Sequence, residues 1–164
     1  MSLDKILQNV RFAQVGFVVK DIHQTAEEYA RLFGVEKPNV RICGDYSMMQ
    51  TRIYGAPAPD ANSWLAFIPL TPGVELELIQ PNEASSVWRD AMEKYGEGIH
   101  HLAFKVQGAD EVARQLVEEF DAVIEQQGTY SDGSGQYIYL DCFKRLKCRI
   151  ELLESYKEKE QKAD

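Results

Sequence analysis

Four side chains in this sequence have the chemistry of a metal site: Gln14, Glu77, His101 and Glu151. One imidazole, two carboxylates and an amide oxygen form a donor set suited to zinc, cobalt, nickel or manganese, with water completing the coordination. The lack of thiolates separates it from the structural zinc type. His101 stands in Gly98-Ile99-His100-His101-Leu102-Ala103-Phe104-Lys105-Val106, which alternates as a half-buried strand does. Strict alternation puts His100, Leu102, Phe104 and Val106 on one face and His101, Ala103 and Lys105 on the other. His100 is then a packing residue at the end of the buried layer, and His101 is open to a ligand.

A repeat singles these residues out. Gln14-Val15-Gly16-Phe17-Val18-Val19 aligns with His101-Leu102-Ala103-Phe104-Lys105-Val106, and Leu76-Glu77-Leu78-Ile79 aligns with Ile150-Glu151-Leu152-Leu153. Taken alone, each residue has an ordinary explanation. A strand histidine is often structural, Gln14 could simply begin a strand, and Glu75 beside Glu77 could make a solvated face. Independent surface residues, however, have no reason to fall at matching places in both halves. The repeat implies a pseudo-symmetric molecule whose equivalent residues face one another across a cleft.

The elements that must carry them follow from periodicity. A strand over 13–19 leads to Asp21 as a helix N-cap, then to Ile22, Ala26, Tyr29 and Phe33 at helical spacing, closed by Gly34. Short strands are expected near Val40–Cys43, Ser47–Tyr54 and Trp64–Pro69, with a longer one over Val74–Gln80. Glu83 to Tyr95 reads as a connecting helix capped by Asn82. After the His101 strand come a helix over Ala109–Phe120 and strands over Ala122–Gln126, Gln136–Asp141 and Cys148–Glu154. The predicted fold is α+β, with two tandem βαβββ modules forming curved sheets around a shared cleft. The divisions are a lead-in with a short helical turn (1–11), the first module (12–81), the connecting helix (82–97), the second module (98–155) and a charged, frayed tail (156–164).

Composition narrows the partners. The chain has 164 residues and a formal charge of −8. Phosphate contacts need clustered Lys and Arg, so no nucleic acid and no membrane partner is expected. No apolar run approaches membrane-spanning length, and the N-terminus shows no signal-peptide pattern. Three cysteines without paired spacing argue against a disulfide framework and predict a cytoplasmic protein.

With these residues in view, the chain resembles the vicinal oxygen chelate superfamily, which includes glyoxalase, methylmalonyl-CoA epimerase and extradiol dioxygenases. Gly98–Val106 is close to the epimerase type GIHHIAFEV, and Val15-Gly16-Phe17-Val18-Val19-Lys20-Asp21 resembles the opening HIGIAVKDL. Glu77-Leu78-Ile79-Gln80-Pro81 resembles the mid-chain ELLEP. The likeness spans roughly residues 12–155, and in that family the four aligned positions bind a divalent metal. There are departures. Gln14 stands where the epimerases have histidine, giving a Gln, Glu, His, Glu set more like that of some lactoylglutathione lyases. Asp45 to Thr51 holds no glutamate where the epimerases carry a base. Asp141-Cys142-Phe143-Lys144-Arg145 replaces the DPDG turn common in glyoxalases.

The resemblance implies a metal-dependent isomerase that abstracts a proton next to a thioester carbonyl, as methylmalonyl-CoA epimerase does. Glu151 is the expected base, and Glu77 the ligand and possible partner on the opposite face. The expected partner is a small-molecule substrate, an acyl-CoA or a thiol adduct, and the expected assembly is a homodimer. Lactoylglutathione lyase-type isomerisation is the alternative, and a metal-free binding module of the same fold is the reading from another class. Ring cleavage is disfavoured, because Gln14 removes one histidine of the two-histidine, one-carboxylate iron site.

Overall fold

A computed structural model describes residues 10–156. The turn expected before residue 10 and the tail from Lys157 lie outside the described residues. In chain order the elements are β1 (Arg11–Val18), α1 (Ile22–Phe33), β2 (Arg41–Ile42), α2 (Tyr46–Met49), β3 (Arg52–Ile53), β4 (Ala56–Pro57), β5 (Ser63–Thr71) and β6 (Val74–Pro81). They continue as α3 (Val87–Tyr95), β7 (Gly98–Lys105), α4 (Ala109–Phe120), β8 (Val123–Thr129), β9 (Gly135–Asp141) and β10 (Arg149–Ser155).

The strands join in one open, curved sheet in the order β2-β5-β6-β1-β7-β10-β9-β8-β3-β4. β1 and β7 meet antiparallel at its centre. Each runs parallel to the closing strand of its own half, β1 beside β6 and β7 beside β10. The two curved four-strand arrays expected from the repeat are therefore fused edge to edge, and the hairpin β3–β4 extends the far edge through β8.

Alternation along β6 and β10 sorts the residues. Leu76 and Leu78 pack against Ile22 and Ala26 of α1, while Ile150 and Leu152 pack against Val112, Ala113 and Leu116 of α4. Glu77 and Glu151 thus fall on the opposite face of the sheet. α3 lies on that second face, where Val87 and Trp88 pack with Ile79, Tyr137 and Tyr139 and wall off one end of the cleft.

The two outer helices are anchored alike. Asp21 Oδ1 accepts the Gln24 N–H at 2.9 Å, and Gln80 Oε1 accepts the Ile22 N–H at 2.9 Å. At the equivalent place in the second half, Glu154 accepts the Gly108 and Ala109 N–H groups at 2.8 and 3.2 Å. A carboxylate there also complements the helix dipole. Each closing strand therefore fixes the helix of its own half and, with it, the register of the glutamate three residues earlier.

Two local expectations fail. The strand expected over Ser47–Tyr54 is the short helix α2 followed by the two-residue β3. Ser47-Met48-Met49-Gln50 contains no β-branched residue, and unbranched methionines suit a helical turn. Met49 then drops into the cleft-side core. The connecting helix begins four residues late, with Ser86 as N-cap accepting the Arg89 N–H at 3.0 Å. Asn82 instead ties down the loop, its Oδ1 accepting from the Asn62 and Ala84 N–H groups.

Candidate metal centre

Strand register assembles the site. His101 pairs with Gly16, and Gln14 with Ala103. Gly16 pairs in turn with Glu77, and Ala103 with Glu151. Exchanging the halves, Gln14 for His101, Gly16 for Ala103 and Glu77 for Glu151, reproduces every one of these pairings. At the centre of each inner strand stands a residue with almost no side chain, over which the ligand of the facing strand can lie. The fit is tight on one side: a Cβ built on Gly16 falls 1.9 Å from His101 Cε1. Gly16 is glycine because the imidazole occupies that space.

His101 Nε2 lies 3.2 Å from Glu77 Oε2 and 3.0 Å from Glu151 Oε2. All three atoms are buried, and none finds a partner with hydrogen-bond geometry. One donor atom from each residue lies within 4.8 Å of the others. Buried polar atoms are normally satisfied, and leaving one unpaired costs about 1–3 kcal/mol. Three such atoms converging on one point are what a divalent cation satisfies, and one imidazole with two carboxylates suits zinc or a similar ion. Gln14 is buried nearby and lines the same cavity as Glu77 and Glu151.

The electrostatics agree. Burial opposes the charged form of His101, but the Glu151 and Glu77 carboxylates outweigh it and hold its pKa at about 9. Burial pushes the Glu77 carboxyl up, opposed by its contact with His101. Without metal, a proton on His101 neutralises part of the carboxylate charge. A metal bound there would take the place of that proton.

Above the triad opens a cavity of about 630 Å³. Trp88, Tyr137 and Tyr139 line one wall, Cys43, Met49, Leu65 and Phe67 another, and Arg41 and Lys105 add positive charge. A profile of the Glyoxalase/Bleomycin resistance protein/Dioxygenase superfamily matches residues 13–140, a span that includes Gln14, Glu77 and His101. The chain belongs to this superfamily. Among curated proteins none matches. Solved structures of similar fold include methylmalonyl-CoA epimerase from Mycobacterium tuberculosis, 20% identical over 94% of this chain and 93% of that one, with a TM-score of 0.62. A methylmalonyl-CoA epimerase in complex with methylmalonyl-CoA and NH4+ is 19% identical over 89% and 94%, also at 0.62. A hypothetical protein from Bacillus halodurans is 21% identical over 90% and 96%, with a TM-score of 0.62. At these identities the likeness shows the shared fold.

This superfamily member departs from strict alternation at the site itself. The β1–β7 register passes from Gly16↔His101 to Phe17↔Ile99, so His100 is an extra residue, a β-bulge. The two histidines expected on opposite faces instead touch, Nδ1 to Nδ1 at 3.0 Å, with both rings buried. Arg149 Nη1 donates to the His100 carbonyl at 3.4 Å and braces the bulge, itself paired with the buried carboxylate of Glu125. The aromatic wall was also missed. Tyr139 pairs with Glu151 across β9 and β10, and its ring centroid lies 5.0 Å from that of His101. The Tyr137–Tyr139 alternation in the sequence was the available signal.

Proposed function

We propose that this protein is a metal-dependent isomerase that removes and returns a proton on the carbon next to a thioester carbonyl, in the manner of methylmalonyl-CoA epimerase. The observation that carries the reading is the convergence of His101 Nε2, Glu77 Oε2 and Glu151 Oε2, buried and without hydrogen-bond partners, on the floor of an open cavity. The similar fold of an epimerase in complex with methylmalonyl-CoA supports the choice of substrate class. Gln14, Glu77, His101 and Glu151 would hold the ion. When bound, it would supply Lewis acidity to the substrate carbonyl and so acidify the adjacent C–H.

The chain's own groups do the rest. Glu151 takes the substrate proton, and Glu77, from the other half, faces it across the site. A carboxylate is a better base once it loosens from a cation, because the cation lowers its pKa. Trp88, Tyr137 and Tyr139 wall the chamber and exclude water from the developing enolate. Arg41 and Lys105 supply positive charge for the anionic part of an acyl-CoA.

A second reading, lactoylglutathione lyase-type isomerisation of a thiol adduct, draws on one feature. Apart from Glu75 beside Glu77 on β6, the first-half wall meets the site with Cys43 and Met49, and the segment from Asp45 to Thr51 brings no glutamate to it. One experiment separates the two. Zinc-loaded protein in deuterated water is given methylmalonyl-CoA, and loss of the α-proton is followed by NMR, beside the methylglyoxal–glutathione adduct. Exchange with the CoA ester, abolished by Glu151→Gln, is the expected result. Exchange with the adduct alone moves the protein to the second reading. Exchange with neither contradicts both and leaves a binding module.

A further inference from the structure

We propose that His100 is a positioning residue that sets the tautomer of His101, so that Nε2, and not Nδ1, is the atom turned toward the two glutamates. The inference rests on the reading above only in treating His101 as a ligand. The chain of hydrogen bonds is forced by elementary valence. His100 Nε2 lies 3.2 Å from the Val87 carbonyl oxygen. A carbonyl can only accept, so Nε2 of His100 carries the proton and donates. The His100 ring is buried between Tyr139 and His101, and a neutral imidazole with its proton on Nε2 presents a bare lone pair at Nδ1. That lone pair faces His101 Nδ1 at 3.0 Å. His101 must therefore carry a proton on Nδ1 and donate it, which leaves Nε2 as the ligating atom, and Nε2 is the atom 3.0 and 3.2 Å from the glutamates.

A metal-bound histidine almost always donates its other N–H to an oxygen acceptor that fixes its tautomer and ring orientation. Here the acceptor is a second imidazole, and it is itself pinned. Val87 is held at both of its backbone polar groups, its carbonyl by His100 and its N–H by Gln126 Oε1 at 3.1 Å. Arg149 holds the His100 carbonyl and so the bulge that brings the two rings together. The relay runs from the first residue of α3 to the metal position. Regular alternation would have put His100 on the other face and left His101 Nδ1 without this partner.

The first test uses the native, metal-free chain labelled with 15N at histidine. A through-hydrogen-bond coupling between Nδ1 of His100 and Nδ1 of His101, with the proton on His101, is expected. It is independent of whether any metal binds. After addition of zinc, His101 should keep its Nδ1 proton. Zinc affinity by chelator competition should fall roughly 10–100-fold in His100→Phe, the usual cost of losing such a partner. His100→Asn, which puts a carbonyl acceptor near the place of Nδ1, should recover most of it. Absence of the coupling, or a zinc-loaded His101 protonated at Nε2, overturns the proposal. So do equal losses in both variants, which would show a packing role alone. If His100→Phe does not fold, the coupling in the native chain decides. Failure of zinc to bind a chain that shows the coupling overturns the metal reading and leaves the relay standing.

Discussion

The two halves of the molecule differ most in their outermost strands. The second half has four full strands, β7 to β10, each of seven or eight residues. In the first half, β1, β5 and β6 match them, but the outermost strand β2 has two residues. The chain between β2 and β5 instead forms α2 and a small hairpin that pairs with β8 of the other half. The four inner strands hold the ligand positions and keep a common register. The outer first-half segment carries none of the four ligand positions, and it shapes one wall of the cavity. A symmetric floor of candidate ligands thus sits beneath two unlike walls, one aromatic and one with Cys43 and Met49.

The same comparison applies within the floor. His101 and Gln14 occupy equivalent places, but an imidazole is a stronger ligand than an amide oxygen for a zinc-like ion. His101→Ala should cost about 100-fold or more in zinc affinity, beyond the usual effect of supporting residues. Gln14→Ala should cost far less, and Gln14→His should tighten binding. Chelator competition across the three variants measures this. Equal losses at both positions would mean that the halves contribute alike.

Gly16 and Ala103 form the second equivalent pair. Gly16→Ala places a methyl 1.9 Å from the His101 ring, so the ring must move. Overpacking of this kind costs about 1–3 kcal/mol, and zinc affinity should fall with it. Ala103→Gly crowds nothing and should leave zinc affinity near native. Denaturant unfolding and zinc titration of both variants would show whether the tight fit lies on one side only.

A smaller effect concerns pH. The His101 pKa in the metal-free fold is about 9, above the roughly 6.5 of an unfolded histidine. A raised pKa means that the protonated ring stabilises the metal-free fold fully below about 6.5 and progressively less as pH rises through about 9. Zinc must displace that proton, so its affinity should rise with pH up to about 9. At pH 7 binding should release a proton to a weakly buffered indicator dye. Zinc binding without proton release would show that His101 is neutral beforehand.

The inner strands were legible in the sequence because two periodic signals reinforced each other. Alternation separated Glu77 from Leu76 and Leu78, and the repeat tied Gln14 to His101. The outer first-half segment was not legible, since two-residue strands carry no period and the four-residue α2 is too short to show one. The start of α3 was misplaced because Asn82, Ser85 and Ser86 can all cap a helix. Only packing of Val87 and Trp88 against the cleft selects Ser86. His100 was misread for a deeper reason. Parity arguments assume an unbroken ladder, and a bulge braced by Arg149, 49 residues away, leaves no local mark.

The central claim is that Glu77, His101 and Glu151 bind one divalent ion. A crystal of zinc-loaded protein, with anomalous data collected on either side of the zinc absorption edge, tests it directly. The account predicts a single strong peak, about 2.0–2.2 Å from His101 Nε2 and from one oxygen of each glutamate. A peak elsewhere in the chain, or none in zinc-saturated crystals, would contradict it.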